Sequence, residues 1–351
     1  MGETQNQHGP RTLARSALLL FLVGLCSRDT GFYNQTLKET PQVWMAVVDG
    51  TASAPEQYRI GVVKSAYWLT QHVSWQGHRP HLNWIFGIFD LVGAVCASFL
   101  LLGLLERTQV YRRAPVAAQW FASAGFVALA LYALDWTLWY QKVGTLPSAV
   151  LVALMACLWS PSTERTRSTY GRPAAIASAL LALVVLQSFI RADLALTMCL
   201  GVFIASALHL PQQLSLSRRA ALMTSALGIL LSVAAQLYLS RVLYPHASYD
   251  GVPVFMLLHD YRQLVLWVSC LVYVAPFLWT ISQVFRQRCW GEGAGASFLL
   301  AAFFHLLLWI TMGRLDEVRI FLPMALATLP LTLELALRQM ALIPVNALPR
   351  N

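Results

Sequence analysis

The chain has 351 residues, of which 57% are apolar and only 12% charged, with 25 Lys and Arg against 16 Asp and Glu. A mean hydropathy of +0.57 leaves too little polar surface to clothe a water-soluble globule of this size, which excludes soluble enzymes and points to a polytopic membrane protein. The net charge of +9 does not call for nucleic acid as a partner, because its distribution over the loops accounts for it.

In chain order, apolar runs long enough to cross about 30 Å of hydrocarbon as helix fall near residues 13–27, 82–105, 116–137, 145–160, 173–190, 192–209, 218–240, 262–285, 294–312 and 319–338. The expectation is one all-α domain over residues 1–351, a polytopic integral membrane protein with about ten transmembrane helices. Arg11, Arg15, Arg107, Arg112, Arg113, Arg165, Arg167, Arg172, Arg218, Arg219, Arg286, Arg288, Arg338 and Arg350 then share one side with four acids, while the other side carries 11 basic residues against ten acidic ones. The positive-inside rule makes the basic side cytoplasmic. It predicts the cytoplasmic (inner) membrane, both termini inside, and a working face that is extracytoplasmic or periplasmic.

The first run, "SALLLFLVGLC", reads as an uncleaved span, since Leu25 stands before Cys26 where a lipoprotein signal has a small residue. The longest polar segment follows it: residues 28–81 form a first outer loop. Within that loop "YRIGVVKSAYWLTQHV" is interrupted by Arg59, Lys64 and His72, and its polar pairs Lys64/Ser65 and Gln71/His72 recur at a seven-residue interval. This spacing predicts an amphipathic interfacial helix over about 58–74, lying on the outer leaflet with Val63, Ala66, Tyr67 and Val73 on its apolar flank. A second outer loop, 241–261, is marked by Pro245, an Asp-Gly pair and Pro253.

The outer turns concentrate charge. "GRLDEVRIFLPM" (313–324) places Arg314, Asp316, Glu317 and Arg319 within six residues; "DGTASAPEQYRI" holds Asp49, Glu56 and Arg59; "FIRADLAL" holds Arg191 and Asp193; "LHDYR" holds His259, Asp260 and Arg262. Both "EQYRI" and "DEVRI" set an acid three residues before an arginine, a spacing that puts both on one helical face. For any single pair the plainer reading is a local ion pair at the headgroups. Several at one membrane level suggest a site, because ionisable groups beside a bilayer are costly. Arginine suits a bound phosphate through its planar fork and persistent charge, and carboxylates can deprotonate a hydroxyl or hold a divalent cation. Inside the spans, His305 reads as an interhelical hydrogen-bond partner, and Asp90 either faces the outer cavity or bonds a neighbouring helix.

The first span followed by a long acid-bearing outer loop, "EQYRI", "IRADLAL" and the closing "DEVRIFLP" together resemble the GT-C class of polytopic membrane glycosyltransferases and related bacterial membrane proteins. The resemblance covers most of the chain as architecture and about twenty residues as motif. It implies transfer of a sugar from a polyprenyl-phosphate-linked donor to an acceptor hydroxyl at the outer face, within membrane lipid, in some members with a divalent cation. It also implies Asp49, or else Glu56, as catalytic base, Arg59, Arg191 and Arg319 as phosphate ligands, and Asp193, Asp260, Arg262, Asp316 and Glu317 as supporting groups. The acidic pair common after the first span in such enzymes is missing, since Asp49 has no adjacent carboxylate. This departure puts metal dependence in question.

Three other readings share the composition. A polysaccharide polymerase or ligase would use the same lipid-linked substrates, but carries its main outer loop late in the chain. A lipid-linked saccharide transporter keeps ionisable groups near the midplane, whereas nearly all acids here lie at one face. A non-catalytic membrane subunit would use the charged turns to bind a partner protein.

Overall fold

The computed structural model describes residues 8–36, 41–54, 56–74, 77, 80–138, 144–161, 172–247, 263–313, 315 and 317–340. Among these residues the regular structure is helical: α1 His8–Thr36, α2 Pro41–Asp49, α3 Ile60–His72, α4 Leu82–Arg107, α5 Gln109–Arg113, α6 Val116–Leu138, α7 Thr145–Trp159, α8 Arg172–Ala207, α9 Arg218–Tyr238, α10 Leu264–Gln287, α11 Gly295–Met312 and α12 Leu322–Gln339. Helices satisfy every backbone group within the segment, which hydrocarbon demands.

Among the described residues six helices are, by length and composition, long and apolar enough to cross a membrane: α4, α6, α8, α9 extended by a π turn at Leu239–Leu243, α10 and α11. The remaining expected spans take other forms. Residues 12–26, within α1, and residues 145–159, the whole of α7, are shorter apolar stretches of helix. The 319–338 run becomes α12, in which 14 of 18 residues are buried. It packs against α4, α6, α7, α10 and α11, so it has no continuous lipid-facing stripe, and its threonines and Glu334 face protein.

Expected spans 173–190 and 192–209 are joined in α8, whose 36 residues would reach about 54 Å if straight. The helix breaks at Arg191, with φ −155° and ψ 94°. A β-carbon placed on Gly228 of α9 would sit 2.6 Å from Cys199 Sγ and 3.6 Å from Val184 Cγ2. Those two residues would stand about 22 Å apart along an unbroken helix. The two halves of α8 therefore fold back side by side, and Arg191 occupies their turn. The second half packs closely on α11: a β-carbon at Gly201 would lie 2.4 Å from the Ser297 carbonyl.

The helix ends sort into two groups. At the basic end, Arg15 pairs with Glu106 at 2.8 Å, Gln213 N–H donates to the Gly293 carbonyl at 2.8 Å, and Ser215 N–H to the Trp159 carbonyl at 2.9 Å. At the opposite end, Tyr58 Oη donates to the Ala247 carbonyl at 3.0 Å and Lys64 Nζ to Tyr244 Oη at 2.7 Å, so the two long loops lean on each other.

The interfacial segment forms a helix within the expected bounds, but its apolar side belongs to the protein. Val62, Val63, Ala66 and Thr70 of α3 are buried against α2, α4 and α8. Lys64, Ser65, Gln71 and His72 are exposed. At 13 residues, about 20 Å, α3 is too short to span a bilayer.

Candidate functional site

The site is assembled around the break in α8. Arg191 is 6% exposed. Its Nε donates to Asp193 Oδ1 at 3.2 Å, Nη2 pairs with Asp193 Oδ2, and Nη1 donates to the Ile320 carbonyl at 3.2 Å. The break is what allows a residue and its second neighbour to pair this way. Gln187 holds the turn from behind, its Nε2 donating to the Arg191 carbonyl at 3.3 Å.

Ile320 belongs to a short 3-10 turn, Val318–Ile320, ahead of α12. Its carbonyl also accepts from His305 Nε2 at 3.0 Å. A carbonyl can only accept, which fixes the proton of His305 on Nε2. Nδ1 lies 3.5 Å from Thr197 Oγ1, whose own proton goes to the Asp193 carbonyl at 2.9 Å, and the ring stacks on Phe321. His305, completely buried, thus acts as the interhelical partner expected of it, tying α11 to α8 and to the 318–321 turn. Within the same turn Arg319, 3% exposed, pairs with Glu317 at 2.7 Å.

The long segment between α1 and α4 reaches this group through "EQYRI". Gln57 is fully buried; its Oε1 accepts from Ala52 N–H at 2.9 Å and its Nε2 donates to the Val47 carbonyl at 3.2 Å. These bonds fix Glu56 and Arg59 relative to the end of α2. The start of α3 is seated directly on the α8 turn, where a β-carbon on Gly61 would meet Ile190 Cγ1 at 2.9 Å and the Phe189 carbonyl at 3.1 Å. Only glycine permits that approach.

Arg59 consequently lies in the field of Arg191, Asp193, Glu56 and Glu317. Burial and then the Arg191 guanidinium push its pKa below the usual arginine value, while Asp193, Glu56 and Glu317 pull it back up. A guanidinium stays charged under such a load at neutral pH, so two cations remain close together among carboxylates.

Of the residues proposed from sequence, Arg59, Arg191, Asp193, Glu56 and Glu317 converge, and Arg319 stands in the same turn as Glu317. Asp49 ends α2 and is exposed, linked to the group through the Gln57 bonds and placed at its margin. Asp260, Arg262 and Asp316 lie outside the described residues, as do Arg314 and His259. Asp90 is buried in α4. Among the described residues no three His, Cys, Asp or Glu stand close enough to hold a metal ion. The carboxylates of the cluster lie beside arginines instead, so the described donor set does not fit a divalent cation.

A second charged group at the basic end was not anticipated. Glu334 Oε1 accepts from Arg338 Nε at 3.1 Å and Nη2 at 2.9 Å, and its Oε2 from Glu292 N–H at 3.0 Å. Glu292 reaches back to the backbone N–H groups of Gln109 and Val110 at 2.7 and 3.2 Å. The four-residue spacing of Glu334 and Arg338 is the sequence signal for the first contact; nothing local signals the second.

No protein-family model matches the chain, and comparison with curated proteins and with solved structures likewise returns no match. The class defined by the fold is, among the described residues, an all-helical protein with six helices long and apolar enough to cross a membrane. Its site is a cluster of arginines and carboxylates at the end opposite the basic loops.

Proposed function

We propose that this protein is a GT-C-like membrane glycosyltransferase that moves a sugar from a polyprenyl-phosphate-linked donor to an acceptor hydroxyl at the extracytoplasmic face. The observation that supports this most is the meeting of Arg59 and Arg191, from segments far apart in sequence, in one another's field and beside Glu56, Asp193 and Glu317. Two like charges are not placed together for stability alone, since their repulsion opposes folding. A phosphate between them would reverse that repulsion.

In this reading the donor phosphate lies against Arg59 and Arg191, with Arg319 behind. As the bond between the sugar's anomeric carbon and the phosphate oxygen breaks, negative charge grows on the leaving phosphate, and fixed guanidinium groups stabilise it without reorganisation. The acceptor oxygen forms the new bond to the anomeric carbon and gives its proton to a carboxylate. Glu56, whose charge acts on Arg59, is better placed for that proton than Asp49. Asp193 and Glu317 hold the arginines in position.

The test is transfer from a polyprenyl-phosphate-linked sugar in proteoliposomes. Glu56→Gln is expected to lower transfer at least a hundredfold without displacing the unfolding midpoint, and Asp49→Asn by less than tenfold. Full activity in Glu56→Gln would remove it as the base.

The ion pairs Arg191–Asp193 and Arg319–Glu317 favour a second reading, in which the cluster is a latch holding the outer loop onto the bundle of a non-catalytic subunit. Under that reading wild-type proteoliposomes transfer no sugar and bind no polyprenyl phosphate.

A further inference from the structure

At the basic end, away from the proposed transfer site, α10 and α12 border an open cavity of about 200 Å³ lined by Gln283, Arg286, Gln287, Cys289, Arg338 and Gln339. The direction of the hydrogen bonds in its wall can be worked out. The Leu335 carbonyl can only accept, so Gln287 presents Nε2 to it, at 3.1 Å. The same Nε2 donates to Gln283 Oε1 at 3.3 Å. Gln283 is 4% exposed, and this assignment leaves its Nε2 without a protein acceptor among the described residues.

Arg338 repeats the pattern. Its side chain is 8% exposed, with Nε and Nη2 engaged by Glu334 and Nη2 also 3.6 Å from Glu292. Nη1 has no acceptor among the described residues, and the residue lines the cavity. Arg286, exposed in the last turn of α10, adds a second guanidinium. Among the described residues the lining is thus rich in N–H donors and contains no carboxylate, which is the complement of an oxyanion.

The outer surface of α10 supplies the other half of the argument. Val265, Val268 and Val272 are 76%, 51% and 46% exposed, and at about 100° of turn per residue they fall in one stripe on the side of α10 that carries Gln283, Arg286 and Gln287. A free phosphate needs no such stripe, whereas a phospholipid needs both an apolar track and a polar end. Basic pockets between helices at the cytoplasmic side suit anionic headgroups.

We infer that this cavity binds the phosphate of an anionic phospholipid, with an acyl chain lying along Val265, Val268 and Val272. The inference does not depend on the proposed transferase activity.

The experiment uses the full chain in neutral detergent, titrated with phosphatidylglycerol, phosphatidylcholine or inorganic phosphate, with bound lipid counted by native mass spectrometry. Phosphatidylglycerol is expected to bind at least tenfold more tightly than phosphatidylcholine. Gln283→Leu with Arg286→Gln is expected to weaken it at least tenfold, and Arg219→Gln, an exposed arginine elsewhere at the basic end, to leave it unchanged. Arg286→Gln alone, at an exposed position, preserves the test if the double variant does not fold; it is expected to weaken binding severalfold. Equal binding of the two lipids, or undiminished binding by the folded variants, would overturn the site. Inorganic phosphate competing at the concentration of the lipid would overturn its assignment to a lipid.

Discussion

Arg191→Met removes the group on which the α8 turn, the 318–321 turn and the segment between α1 and α4 converge. The Ile320 carbonyl keeps its bond from His305 Nε2 at 3.0 Å, so the backbone loss is small. The larger cost falls on Asp193, which loses its partner. Breaking a fully buried pair costs about 3–5 kcal/mol, but the Asp193 side chain is 29% exposed and recovers some hydration, which brings the expectation to about 2–3 kcal/mol. Asp193→Asn leaves Arg191, 6% exposed, facing Arg59 with less compensation, and about 3 kcal/mol is expected. The double variant should lose only about 3 kcal/mol in place of an additive sum of about 5–6, because both members of the pair go together. Equilibrium unfolding in mixed micelles at increasing dodecyl sulfate fraction measures all three. Additivity within about 0.5 kcal/mol, or single variants indistinguishable from wild type, would refute the pairing and with it the placement of Arg191 at the centre of the site.

Other outcomes follow from the same contacts. Gly201→Val, which pushes a side chain into the Ser297 carbonyl, should separate α8 from α11 and cost at least about 2 kcal/mol, whereas Gly103→Ala, with nothing within 4 Å, should be neutral or slightly stabilising in the same assay. Glu292→Gln weakens both the α5 N–H bonds and the pairing with Arg338, an expected loss of about 1–2 kcal/mol; an unchanged midpoint would show that the contact is not formed. His305→Gln can keep the donor to Ile320 and should retain more stability than His305→Leu by about 1 kcal/mol, while equal loss in both would mean that ring packing, not the hydrogen bond, sets the position of the turn. Arg59→Gln should leave the unfolding midpoint within about 1 kcal/mol, since burial and Arg191 already oppose its charge, yet reduce polyprenyl phosphate binding at least tenfold; undiminished binding would take Arg59 out of the phosphate site.

Sequence alone marked every segment that became a long helix, because an apolar run in hydrocarbon has no other way to satisfy its backbone. It also marked Arg191 as a boundary, since a charge pair divides two apolar stretches, and gave the bounds of α3 to within two residues. It did not show that the apolar side of α3 would be buried by α4 and α8: hydrophobic periodicity reports which side leaves water, and lipid and protein are equally apolar alternatives.

What tertiary structure decided was company. Spacing set Glu56 beside Arg59 and pointed to Asp316, outside the described residues, as the partner of Arg319, which pairs with Glu317 instead; only the folding back of α8, the close seat at Gly61 and the shared Ile320 carbonyl brought these local groups to one place. The same holds for Glu292 with Glu334 and Arg338, and for the donor-lined cavity between α10 and α12. Local pattern follows from steric and solvation rules acting over a few residues, so it can be read along the chain. Convergence depends on how helices pack, and the contacts that decide it join residues well beyond one another's local reach, 42 positions apart for Glu292 and Glu334 and 129 for Arg191 and Ile320.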